Sequence, residues 1–336
     1  MHDIVTFGSA SWDVFMKLKN IKTVSNKKFI SSKGLCFNLG SKIDVDRIYS
    51  FSGGGGTNTA ATFTSQGFKT AFCGMVGNDL AGEQVIEDLK KHNIDSSLVL
   101  RAKGKETNYS VVLKAKEGKD RTILVFRGAS EFLSKKDINW KKLASSKWFY
   151  LAPLSGRLAG LTKDIIDFAK KNGIKVALNP GNSQLSMPRK KLNAIIEKVD
   201  ILFLNQEEAS ILTGISYDRE KEIFKNIDKI CPGVAVMTKG PEGVVVADGK
   251  HIYSARGTNN HIVDNTGAGD AFGSAFVAEF IRSSGSIEKS VQFGLSNSVS
   301  VLKKWGAKEG ILKKGEGFKK AKVKKEACLG HNCKIK

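Results

Sequence analysis

Nowhere in the 336 residues does an apolar run approach the ~20 positions that a membrane-crossing helix needs. The start, Met1-His2-Asp3-Ile4, lacks the basic and apolar regions of a secretion signal, so the chain reads as a cytoplasmic protein. Cysteines are few, at 36, 73, 231, 328 and 333. Odd in number and mostly far apart, they exclude a disulfide framework as the basis of the fold. Cys328, His331 and Cys333 cluster, but three ligands so closely spaced, with no second pair elsewhere, are weak grounds for a metal site. Acidic residues are also scarce, 33 against 54 basic ones, for a net charge of +21. From Lys313 onward nine lysines face two glutamates, a net of +7, which leaves +14 spread over the rest. No helix-turn-helix, zinc-finger or aromatic RNA-binding signature accompanies this excess, so it reads as a field that keeps the chain soluble or draws anionic substrates.

What is present is the composition of a soluble globular protein, 41% hydrophobic and 26% charged, long enough for one large domain or two ordinary ones. The chain is organised around Asp264-Asn265-Thr266-Gly267-Ala268-Gly269-Asp270, followed by phenylalanines at 272, 276 and 280. Their i,i+4 spacing predicts a helix beginning at or just before Asp270. The first N–H groups of a helix lack intrahelical partners and carry the positive end of its dipole, so with small residues at 267 to 269 a phosphate can reach the main chain. A carboxylate at the mouth of an anion site needs another task, and taking a proton from an attacking hydroxyl is one; the plain alternative is a helix cap behind a glycine loop.

Residues 3 to 8 read as a buried strand ending in a glycine turn, with Asp13 shortly after it, able to accept hydrogen bonds from two hydroxyls. Residues 14 to 51 hold short β-prone pieces such as Val14-Phe15-Met16 and Lys28-Phe29-Ile30; residues 107 to 113 and 121 to 126 form a second set around a turn near Gly118-Lys119-Asp120. Two such segments inside an α/β chain suggest a small sheet that excludes water from a reaction. Between them Gly53-Gly54-Gly55-Gly56 precedes a helical run whose first turn carries Asn58. From Trp148 strands and helices alternate: strands at 148 to 152, 174 to 178, 199 to 203 and 233 to 238, helices at 160 to 172, near 190, at 206 to 213 and 219 to 230. That order implies a largely parallel sheet with its ligand crevice at the carboxyl ends of the strands. There stand Asn179, which could face a phosphate, and Asn205 with Glu208, a spacing that suits either a water-mediated magnesium site or a capping box. A last helix from near Ser286 sets Ile287, Val291, Leu295, Val299 and Leu302 on one face, expected to pack on the sheet, with Asn297 off that stripe as an adenine contact. Beyond Gly310 the lysine-rich sequence reads as a mobile basic tail.

The heptapeptide resembles the C-terminal signature Asp-Thr-x-Gly-Ala-Gly-Asp of the ribokinase-like (PfkB) carbohydrate and nucleoside kinases, with Asn265 in place of the usual threonine. Gly53-Gly54 with Asn58 is similar to the family's N-terminal Gly-Gly-x-x-x-Asn, Gly55 standing where many ribokinases have lysine. Asn205-Gln206-Glu207-Glu208 resembles its magnesium-associated Asn-x-x-Glu. The resemblance spans about residues 3 to 310. It implies a three-layer α/β/α domain with a mainly parallel central sheet plus a small β lid. Residues 1–13, 52–100 and 130–312 would form the α/β domain, 14–51 and 101–129 the lid, and 313–336 the tail. The activity implied is ATP-dependent phosphorylation of a hydroxymethyl group on a sugar or nucleoside, with Asp270 as base and the N–H groups of Gly267, Ala268 and Gly269 as anion hole. Asp13, Gly53, Gly54 and Asn58 would hold the acceptor, and Thr238, Gly240 and Gly243, with Asn179 and Asn297, the nucleotide. Magnesium would sit by Asn205 and Glu208, and a potassium ion by Asp264 and Thr266. A homodimer through the lid is a further expectation; nucleic acid and membrane are not expected partners. Leu151-Ala152-Pro153-Leu154-Ser155-Gly156 offers no acid where ribokinases usually present one, which leaves nucleosides, fructose-type sugars and keto-deoxy sugar acids open. The alternative from another class is a non-catalytic basic nucleic-acid-binding protein on the same fold.

Overall fold

The computed structural model describes residues 1–19, 22–26, 33–115, 121–257 and 262–327. Lys28-Phe29-Ile30, the turn at 118 to 120 and the Cys328, His331, Cys333 cluster lie outside them. The strands are β1 (Ile4–Phe7), β2 (Ser11–Leu18), β3 (Lys22–Ser25), β4 (Lys33–Cys36), β5 (Val45–Gly53), β6 (Thr70–Gly77), β7 (Val99–Ala102), β8 (Asn108–Ala115) and β9 (Arg121–Phe126). After them come β10 (Trp148–Leu151), β11 (Lys175–Leu178), β12 (Ile201–Asn205), β13 (Val234–Thr238), β14 (Val244–Ala247), β15 (His251–Ala255) and β16 (Val323–Ala327). Helices α1 (Gly55–Ser65) and α2 (Leu80–Lys91) flank β6, and α3 (Trp140–Leu143) precedes β10. Between β10 and β13 run α4 (Gly156–Gly160), α5 (Thr162–Lys171), α6 (Asn182–Leu185), α7 (Arg189–Ile196), α8 (Gln206–Thr213) and α9 (Glu220–Ile230). Two long helices, α10 (Ala268–Arg282) and α11 (Ile287–Leu302), come after β15.

Ten strands make the central sheet, in the order β16-β15-β14-β13-β12-β11-β10-β1-β6-β7. Pairing is parallel from β7 across to β13 and antiparallel from β13 to β16. The parallel strands are covered on both faces, as apolar strands joined by helical crossovers must be. Ile4 faces one apolar cluster with Phe63, Tyr150, Phe203 and Phe276, while Val5 and Phe7 face another with Phe149, Leu151 and Val176, so the period of two divides each strand between the layers. The predicted phenylalanine stripe is the seam of α10: Phe276 is fully buried, edge-on to Phe203 at 5.5 Å between ring centroids. Burial of a side chain that size stabilises by about 2–3 kcal/mol, so the same spacing that announces the helix anchors its position.

The two β-rich segments pair with one another. β5-β2-β8-β9 form a four-stranded sheet beside the main one, β2 and β8 running parallel, while β3 and β4 form a separate hairpin. Strand β2 already begins at Ser11, so Asp13 lies within the lid sheet instead of in a loop after β1.

One sequence expectation needs correction and another an addition. Residues 313–327 are not a mobile tail: Phe318 packs on Phe293, and Val323–Ala327 adds an antiparallel strand to β15. The unpaired edge of β15 supplies the backbone partners, which a count of lysines cannot reveal. Helix α11 buries Ile287, Ser290, Val291, Gly294 and Asn297, whereas Leu295 and Val299 are half-buried. Ile287, Val291 and Leu295 pack on the sheet beside Val246 and Tyr253 as expected, while the small residues turn to α10, where a side chain at Gly294 would come 3.0 Å from Phe272.

Candidate active site

The first turns of α1 and α10, 212 residues apart in sequence, meet at the carboxyl ends of the central strands. Asn58 Nδ2 donates to Asp270 Oδ2 at 2.9 Å. The other end of the amide, Asn58 Oδ1, is buried and meets no donor among the described residues. Asp270 reaches solvent at its edge, yet enough protein surrounds the carboxyl that burial raises its pKa, against the lowering effect of the Asn58 hydrogen bond. A side chain at Gly55 would come 3.4 Å from Asp270 Oδ1 and 3.0 Å from Ala152 Cβ, so the bare backbone there keeps a lane to the carboxylate.

The turn before α10 is open in the same sense. Gly267 caps the helix with φ 75°, and a Cβ on it would strike Ala307. Gly269 faces open space. Ala268 N reaches Asn265 O only at 3.5 Å, and no backbone acceptor among the described residues meets the N–H groups of Gly269 and Asp270. Donors so placed at a helix start attract an anion. The loop that delivers them is shaped by Asp264, which is buried: its Oδ1 accepts from Thr266 N at 3.1 Å and Thr266 Oγ1 at 2.9 Å, and its Oδ2 from Gly306 N at 3.3 Å. Lys114 crosses from the lid to donate to the Val263 carbonyl beside it.

Asp13, 8% exposed, accepts from Ser11 Oγ at 2.9 Å and Ser110 Oγ at 2.6 Å, both on Oδ1. Its Oδ2 lies against Gly53, where any Cβ would sit 1.9 Å from it. Gly54, at φ 94°, brings the chain so close that a Cβ would fall 2.4 Å from Ser9 O. Thus each glycine of the pair is required by a close approach, one to a carboxylate and one to backbone.

Glu208 and Asn205 form a reciprocal capping box at the start of α8: Glu208 N donates to Asn205 Oδ1 and Asn205 N to Glu208 Oε2, each at 2.8 Å. Asn205 is therefore engaged as a cap. Glu208 also feels the Asn179 side chain, which lowers its pKa. Burial raises the Glu208 pKa, and the Glu207 and Asp270 carboxylates add to the rise. Asn179 also donates to Phe203 O at 3.2 Å. Beneath them lies fully buried Tyr150, whose hydroxyl is pushed well above its usual value by burial and then by Asp270 and Glu208. The Glu208 carboxylate and the Asn205 amide offer oxygens of the kind a hydrated magnesium ion takes, although no set of three acidic, His or Cys ligands occurs among the described residues.

Thr238, Gly240 and Gly243 lie on the β13–β14 hairpin. Thr238 pairs with Val244, and Lys239 N donates to Gly243 O at 2.8 Å. Gly243 has φ 109° and would collide with Ala255 O if it carried a side chain, so packing of β15 already requires it; Gly240 faces open space. Asn297 departs from expectation. It is fully buried, its Nδ2 donates to Ala271 O and its Oδ1 accepts from Leu312 N, each at 2.9 Å. With Ser298 Oγ on Ala268 O at 3.0 Å, it braces the first turn of α10 instead of offering an edge to adenine. Single polar residues such as Asn297 and Tyr150 carry no spacing signature. The one sequence cue to Asn297 is its place beside an apolar stripe.

Comparison with known proteins gives this arrangement a context. The family model described as pfkB family carbohydrate kinase matches residues 2–314. A ribokinase of Staphylococcus aureus is 27% identical over 266 residues, covering 78% of this chain and 85% of that protein. A cytidine kinase of Thermococcus kodakarensis is 33% identical over 149 residues, 42% of this chain and 51% of the other. Among solved structures, a ribokinase of Arabidopsis thaliana complexed with ribose and ATP superimposes with a TM-score of 0.74 at 21% identity, covering 92% of this chain and 95% of that one. With the family match running nearly end to end over this fold, the chain belongs to the pfkB family of carbohydrate kinases.

Proposed function

We propose that this chain transfers the γ-phosphoryl group of ATP to a hydroxymethyl hydroxyl of a sugar or nucleoside, with Asp270 as the base. The observation that carries the reading is the 2.9 Å hydrogen bond from Asn58 to Asp270, which joins the two glycine-led helix starts around one carboxylate. The acceptor hydroxyl lies in the lane beside Gly55 and gives its proton to Asp270. A carboxylate whose pKa is raised by burial is a better proton acceptor than an ordinary aspartate, and Asn58 orients it. Asn58 Oδ1, buried and unpartnered, takes a hydrogen bond from a neighbouring hydroxyl of the acceptor, and Asp13 binds others from the lid side. The N–H groups at 267 to 269 face the charge that develops on the migrating phosphoryl. Thr238 and Gly240 border the nucleotide. Magnesium, held through water by Glu208 and Asn179, would neutralise the phosphate oxygens when bound. A potassium ion beside the loop would use lone pairs of Asp264 and Thr266, hard oxygen ligands of the right kind; replacing potassium by a large organic cation in the assay tests it.

The acceptor class follows from what the lane lacks. No side chain projects from Gly55 and no acid stands in 151–156, so the site suits an acceptor broader than a free pentose. ADP release measured over a panel of sugars, nucleosides and sugar acids identifies it. Asp270→Asn should lower the rate by about 10² to 10⁴ with the identified acceptor, and an unchanged rate would remove Asp270 as base.

A further inference from the structure

The turn after α11 wraps around the edge of β5, and one of its side chains leaves solvent altogether. Lys308 is 7% exposed, and its ammonium lies 2.7 Å from both Ser52 Oγ on β5 and the Asp88 carboxylate on α2. Burial drives the Lys308 pKa down, while Asp88 and, through space, Asp13 pull it back. Asp13 sits on the neighbouring strand, where Trp12 pairs with Ser52 and Asp13 with Phe51. Burial raises the Asp13 pKa, the Ser110 and Ser11 hydroxyls and Lys308 lower it, and Asp264 raises it again. One ammonium thus ties the body helix to the lid strand and lies within the field of the acceptor-site carboxylate.

We propose that Lys308 is a positioning residue for acceptor binding: it locks β5, and through the β2–β5 pairing Gly53 and Asp13, onto α2. The proposal rests on the reading of Asp13 as a group that binds the acceptor. Stability alone gives little reason for the arrangement, because buried ion pairs can commonly be replaced by apolar side chains of similar volume at no loss. The surroundings are mixed in charge. From α2 come Glu87, Asp88, Lys91 and His92, from the turn Glu309, and from the lid Trp12 and Ser52, around a cleft of about 480 Å³. His92 is the one group there that ordinarily titrates near neutrality; burial lowers its pKa, with Lys308 and Lys91 helping and Asp88 and Glu309 opposing. It therefore stays uncharged at neutral pH, and Lys308 keeps the Asp88 carboxylate.

The experiment compares Lys308→Met and Ser52→Ala with the wild-type enzyme by steady-state kinetics and by 13C NMR titration of the aspartate carboxyls. Lys308→Met should raise the acceptor KM about tenfold, leave the ATP KM within about twofold, and move the acid limb of kcat/KM for the acceptor to higher pH. The sign follows from Asp13, whose pKa the Lys308 charge lowers through space, so that it takes up its proton at higher pH once that charge is gone. Ser52→Ala keeps the charge and removes the tie, so it should raise the acceptor KM without moving the limb. A folded Lys308→Met enzyme with unchanged acceptor KM and unchanged Asp13 titration would overturn the proposal; if that variant does not fold, an unchanged acceptor KM in Ser52→Ala does so. The NMR titration reads the Lys308 effect even if no acceptor is turned over, an outcome that would instead strike the kinase reading.

Discussion

At the scale of single residues, the site contains groups that the fold holds at a disadvantage. Burial raises the pKa of Asp270, so its charged form is disfavoured in the native state. That destabilisation is present above the folded pKa and is relieved as pH falls through it. Asp270→Asn removes the charge and retains an oxygen for Asn58 Nδ2, so calorimetry at pH 7 should show a Tm unchanged or up by about 1–3 °C while activity is lost; a fall of several degrees would mean the carboxylate supports the fold. Asn58→Ala withdraws the hydrogen bond that lowers the Asp270 pKa. The acid limb of its kcat profile should therefore move to higher pH, and kcat/KM for the acceptor should drop about 10- to 100-fold, as a pH series in both enzymes will read. That these two residues stand at helix starts was legible in the sequence because each follows a run of glycines, although a helix cap would have looked the same until the structure brought them together. Asn297, Tyr150 and Lys308 were not, since one polar side chain among apolar neighbours looks the same whether it braces a turn, lies under a carboxylate or crosses to another strand.

At the scale of elements, the regular alternation from β10 to β13 was readable to within a few residues, because each strand there is apolar on both faces and each helix amphipathic. The features that escaped depend on partners distant in sequence. Strand β16 has two apolar residues in Val323-Lys-Lys-Glu-Ala and owes its form to the backbone of β15. Truncation after residue 319 should leave β15 as a bare edge, lowering Tm and raising light scattering on storage, whereas a dispensable tail would leave both unchanged. The bracing of α10 by α11 is similar. Asn297→Ala would strand Leu312 N without its acceptor in a buried place, at a cost of about 1–3 kcal/mol. Chemical denaturation should register that loss, with the ATP KM shifted less than about twofold; a large rise in ATP KM at wild-type stability would restore the adenine contact.

For the whole molecule, the small sheet carries residues proposed to bind the acceptor and also a large exposed apolar strand. Asp13, Gly53 and Ser110 all belong to it, so the acceptor pocket proposed above would be complete only while the small sheet is docked, and the lysines at 114 and 308 tie it to the body. Its far side is less settled in water. In β9 the side chains of Leu124, Val125 and Phe126 are 56%, 59% and 50% exposed, and Ile48 on β5 is 61% exposed. β9 is also an edge of the sheet, so it presents unpaired backbone together with apolar side chains, a combination that soluble proteins ordinarily cover or break with charge. The net charge of +21 keeps copies apart at long range, yet at physiological salt it is screened beyond about 8 Å and does not oppose contact between apolar lids. The homodimer through the lid that the family resemblance implies would cover this strand. Light scattering coupled to gel filtration should then give twice the monomer mass, and Leu124→Lys with Val125→Lys should give the monomer with its fold intact. If the lid carries part of the acceptor site as proposed, the monomeric variant should lose affinity for the acceptor before it loses affinity for ATP. A wild-type chain that elutes as a monomer at every concentration tested would leave the lid strand bare and end that expectation.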